Sequence, residues 1–108
     1  MMRALLLTVL IPFNAFALSQ EAKEFMEITT QLEPVQCEKQ QLRRKIVFAE
    51  VEQRGDDARK FRQRFADLNR DAKTTKLEKR LAELEKHITN EDLPAINRQR
   101  VEAFYRCE

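Results

Sequence analysis

From Ala22 onward the apolar positions recur at intervals of three and four residues, the period of helices packed on one side. Ala22, Phe25, Ile28, Thr29 and Leu32 share one face, Ser19 stands where a cap belongs and Pro34 closes the run, which predicts a first helix over residues 19–33. A second helix opens on Pro34, which a first turn tolerates. It carries Val35, Leu42, Ile46, Ala49 and Gln53 in one stripe and is expected to stop at Gly55, the only glycine in the chain. Asp56 or Asp57 then caps the next helix. Val47, Phe48 and Val51 fall off this stripe and give the second helix a wide apolar arc, which reads either as deeper burial or as a partner surface.

Two heptad-like seams come next: Phe61, Phe65, Leu68 and Ala72, then Leu77, Leu81, Leu84 and Ile88, each with spacing 4, 3, 4. They do not share a phase. Phe61 to Leu77 is 16 residues, about 160° after whole turns at 100° per residue, so the stripes lie nearly opposite. Thr75 with Glu78 matches a capping box and favours a break, whereas no glycine or proline occurs between residues 56 and 93. The expectation is one long helix over 57–88, with a broken helix as the alternative. Thr89 or Asn90 caps a last helix that takes Pro94 in its first turn and aligns Leu93, Ile96, Arg100, Phe104 and Cys107 on one face. The fold class is therefore all-α: a small bundle of three to four helices, a helical hairpin with flanking helices.

The N-terminus departs from this pattern. Arg3 precedes an apolar run from Ala4 to Ile11, and Ala15-Phe16-Ala17 forms a small-x-small site, the layout of a secretory signal cleaved after Ala17. The run is far short of the roughly 20 residues a membrane span needs, and Pro12 and Asn14 interrupt it. Residues 1–17 are thus expected to be a signal peptide and 18–108 a single helical domain, periplasmic or secreted, with no transmembrane segment of its own. Losing Arg3 leaves 19 basic residues against 18 acidic ones. Such a balance provides no global field toward nucleic acid, which is not an expected partner.

Export changes the meaning of Cys37 and Cys107, the only cysteines in the chain. In an oxidising compartment an even pair is expected to cross-link, and neither cysteine has the C-x-x-C spacing of a redox motif. The bridge would close a loop of 71 residues and stabilise the fold by about 4 kcal/mol in the chain-entropy model. Lengths agree: the second helix spans about 30 Å, the long one about 48 Å and the last about 22 Å at 1.5 Å per residue. A last helix climbing back along the bundle therefore ends near Cys37.

Candidate chemistry is sparse. Arg59, Lys60, Arg62 and Arg64 interleave with Phe61 and Phe65, a mix able to meet anionic lipid or polysaccharide, although the two phenylalanines have the spacing of a core seam. Arg43, Arg44 and Lys45 repeat the theme more weakly. His87, flanked by Glu83 and Glu91, is one histidine with two carboxylates, fewer strong ligands than a structural zinc site wants, and no nucleophile accompanies it. One glycine cannot build a phosphate loop. No enzyme, metal, cofactor or small-molecule substrate is expected. The expectation is a binding protein of the cell envelope, an adaptor, inhibitor or chaperone-like partner of an envelope protein, with Val47, Phe48 and Val51 as its candidate surface. The alternatives are an anionic-surface binder using residues 59–64 and a homodimeric coiled coil.

Overall fold

The structure is a computed structural model that describes residues 18–107, and the expected signal segment with Ala15 and Ala17 lies outside the described residues. Among the described residues there are four helices, α1 (Gln20–Val51), α2 (Gly55–Arg70), α3 (Ala72–Glu85) and α4 (Leu93–Arg106), and no strand. The chain is all-α, a small helical bundle cross-linked once.

The two helices expected before Gly55 are one. α1 runs for 32 residues, about 48 Å, with Pro34 in its interior. Pro34 removes one backbone donor, yet it is exposed and points away from Phe25, Ile28 and Leu32, which are buried. Both ends of the interrupted stretch are therefore held by packing that outweighs the proline's cost of about 3 kcal/mol. Ser19 caps α1 as expected, its Oγ accepting from the Ala22 amide at 3.1 Å.

The stop of α1 also differs from expectation. Gln53, with φ 58°, is the left-handed residue. The Arg54 amide donates to the Ala49 carbonyl at 2.7 Å and the Gln53 amide to the Glu50 carbonyl at 3.1 Å, the paired bonds of a Schellman ending. Gly55 is instead the first residue of α2 and has no positive φ.

The long helix expected over 57–88 is broken at Asp71. This residue is extended (φ −61°, ψ 124°); it ends α2 and starts α3, its carboxylate accepting from both the amide and the hydroxyl of Thr74 at 2.9 Å. The break resolves the phase mismatch of the two seams, because one non-helical residue turns the second seam back onto the same long partner. Phe61, Phe65 and Leu68 pack toward the C-terminal half of α1, and Leu77, Leu81 and Leu84 pack toward its N-terminal half.

The molecule therefore has two lobes sharing α1. In the lower lobe Ala22, Phe25, Ile28 and Leu32 meet Leu84 of α3 and Ile96 of α4, with Leu18, Met26, Leu77, Leu81 and Ile88 around them. The upper lobe is a two-helix hairpin in which Leu42 and Ala49 of α1 and Ala58 and Leu68 of α2 are buried. Between the lobes Lys39 is buried, its Nζ 3.6 Å from Glu78 of α3 and 6.0 Å from the Phe65 ring centre of α2.

α4 lies parallel to α1 in a fixed register. Asp92 accepts from the Ser19 amide, Gln99 donates to the Met26 carbonyl, and Arg106 donates to Glu33, each pair 73 residues apart and one heptad above the last. The expected disulfide closes this ladder: Cys37 and Cys107 are joined with their Cα atoms 5.5 Å apart.

Candidate interaction surface

The candidate surface is built on the side of α1 that α2 leaves free. Relative to Gln40, Leu42 and Ala49 lie at about 200° and 180°, against α2, while Val47 and Val51 lie within about 20° of Gln40 and Phe48 about 80° away. Val47 is 56% exposed, Phe48 60% and Val51 74%. The upper lobe consists of two helices only, so nothing among the described residues covers this arc.

Lower on the same face α1 borders α4. Thr29, Gln36 and Gln40 of α1, together with Arg100, Ala103 and Phe104 of α4, line an open groove of about 250 Å³ floored by the disulfide cysteines. Phe104, expected from its spacing to share the core face with Ile96 and Cys107, is 60% exposed, because it lies about 80° around α4 from Ile96 whereas Cys107 lies only about 20° away. Its ring meets Tyr105 edge to face at 5.6 Å, and Val101 is also exposed. The sequence alone does not reveal the groove, since it depends on the register of α4 against α1. The wide arc of Val47, Phe48 and Val51 is the signal that can be read.

The basic segment has different surroundings. Arg64 forms two bonds to Glu38, at 2.6 and 3.0 Å, Arg62 pairs with Glu50 and Arg59 with Asp56, while Lys60 has no ion pair among the described residues. The hydrogen bond from Arg64 holds the Glu38 carboxyl below its ordinary range. Phe61 and Phe65 are half-buried beneath cations of α1, with Lys45 over the first ring and Arg43 over the second. Most of the charge expected to face outward as a cationic patch is matched by local carboxylates.

The most constrained polar group lies at the base of the lower lobe. Asp92 is 2% exposed and accepts from the amides and hydroxyls of both Ser19 and Thr89, at 2.8 to 3.1 Å. Burial alone would raise its pKa; the four hydrogen bonds more than offset that and hold it at about 2. These bonds fasten the start of α1 to the start of α4, a structural duty that occupies both carboxylate oxygens. Among the described residues no group of three or more His, Cys, Asp or Glu side chains is placed to hold a metal ion, and no helix is long and apolar enough to cross a membrane.

Fold and surface thus define a disulfide-linked helical protein with an uncovered apolar arc beside an open groove. No protein-family model, curated protein or solved structure matches the chain.

Proposed function

We propose that the chain is exported, loses residues 1–17, and works as a small periplasmic or secreted protein that binds another protein, as an adaptor, inhibitor or chaperone-like partner. One observation carries this reading: Val47, Phe48 and Val51 lie exposed together on the side of α1 turned away from α2. Covering each of them is worth about 1.5–3 kcal/mol, and no helix among the described residues does so. The disulfide supports the export half of the proposal, since such bridges persist in oxidising compartments.

A pull-down from envelope extract with the oxidised mature protein as bait tests it. One dominant partner is expected with the wild type and none with the double variant Val47→Asp/Val51→Asp; equal recovery by both contradicts the assignment. Binding of anionic lipid through residues 59–64 is the weaker proposal, because Arg59, Arg62 and Arg64 already hold carboxylates. It predicts vesicle co-sedimentation that falls steeply with salt.

A further inference from the structure

The arc and the groove lie on one continuous strip of α1. Thr29, Gln40, Val47 and Val51 all point within about 20° of one direction, and Arg44 stands about 40° to its side. The strip runs 23 residues from Thr29 to Val51, about 33 Å from first to last. α2 covers the opposite side of α1 along the upper half. α4 borders the lower half and ends at Cys107, held there by Cys37, so that the upper half is open.

The strip also has a sign. Arg44 beside the upper half and Arg100 at the lower mouth make no ion pair among the described residues. Glu33, which lines the groove, is held by Arg106 at 2.9 Å, and Glu50 on the α2 side is held by Arg62. None of Gln40, Arg44, Val47, Phe48 and Val51 is acidic. A second copy laid strip to strip would bring Arg44 no unpaired carboxylate from its own strip, since Glu33 and Glu50 are already held.

We infer that the strip binds an amphipathic helix of another protein, about 20 residues long, with an apolar stripe over Val47, Val51 and Phe104 and acidic side chains facing Arg44 and Arg100. This rests on the protein-binding reading above and gives the partner its chemistry: helix in groove, apolar anchors at i, i+3, i+4 and i+7, and net negative charge on the flanks. The continuity of α1 matters here, since a helix interrupted at Pro34 would split the strip in two.

A display library of 20-residue helical peptides, randomised at stripe and flank positions and panned on the oxidised mature protein, tests this. Enriched peptides should be acidic with helical apolar spacing. Synthesised and measured by fluorescence anisotropy, they should bind Val47→Asp/Val51→Asp at least tenfold more weakly. Arg44→Glu/Arg100→Glu should weaken acidic peptides at least tenfold and improve binding of their lysine-substituted versions. All four positions are exposed, so circular dichroism should show wild-type helicity. Basic or neutral enriched peptides, no enrichment, or affinities untouched by either double variant would overturn the inference. So would a dimer in sedimentation equilibrium that Val47→Asp/Val51→Asp dissolves. A pull-down that depends on Val47 and Val51 but ignores Arg44 and Arg100 removes the acidic helix while leaving protein binding intact.

Discussion

Gln53 carries the single left-handed backbone among the described residues that are not glycine, and the Schellman bonds around it show why it is tolerated. A side chain in that conformation costs roughly 1–2 kcal/mol that glycine avoids. Gln53→Gly is therefore expected to stabilise the protein by about 1 kcal/mol, read as a higher urea midpoint; a lower midpoint would refute the reading of this turn. Asp92 gives a prediction in pH. Its carboxyl lies at about 2 in the fold against 3.8 for the free group, a depression worth about 2 kcal/mol by linkage. The sign comes from the depression: the contribution is complete above about pH 4 and is lost as pH falls toward 2. The stability gap between wild type and Asp92→Asn should narrow across that window, and a gap constant from pH 6 to 2.5 would contradict it. Ser19 as a cap is legible in the sequence, because its partner is three residues away. Asp92 is not, since two of its four donors come from a residue 73 positions distant.

At the scale of elements, α1 decides the architecture. Proline is ordinarily a helix stop, and reading Pro34 as one divides a helix that tertiary packing keeps whole. If the continuity comes from packing on both sides of an unfavourable residue, Pro34→Ala should raise stability by roughly 1–3 kcal/mol in urea unfolding. An unchanged or lower value would mean that proline shapes the helix rather than burdening it. The second misreading has the opposite origin. The opposed phases of the Phe61–Ala72 and Leu77–Ile88 seams show that something must change between them, but the absence of glycine and proline argues for continuity. A single extended residue, Asp71, with Thr74 three positions on, is enough to break the helix. Helical periodicity locates each seam; it cannot say that both face one partner, because that depends on where the break falls.

For the molecule as a whole, the lower lobe has three helices around one core and the upper lobe has two. The disulfide sits at the border between them, ending the α1–α4 register ladder at Cys37. Its pairing is legible because the chain has only two cysteines and both come after the expected signal. The groove is not, because it arises from where α4 ends on α1. The tether holds the end of α4 at Cys37, and so sets how much of α1 that helix leaves uncovered. The proposed export and the oxidation of Cys37 and Cys107 stand or fall together. Intact mass spectrometry of the protein isolated from its native host tests both at once. The predicted mass is that of residues 18–108 less two hydrogens, unchanged by alkylation before reduction. A chain that retains residues 1–17, or takes up alkylating reagent at Cys37 and Cys107 without reduction, would contradict it.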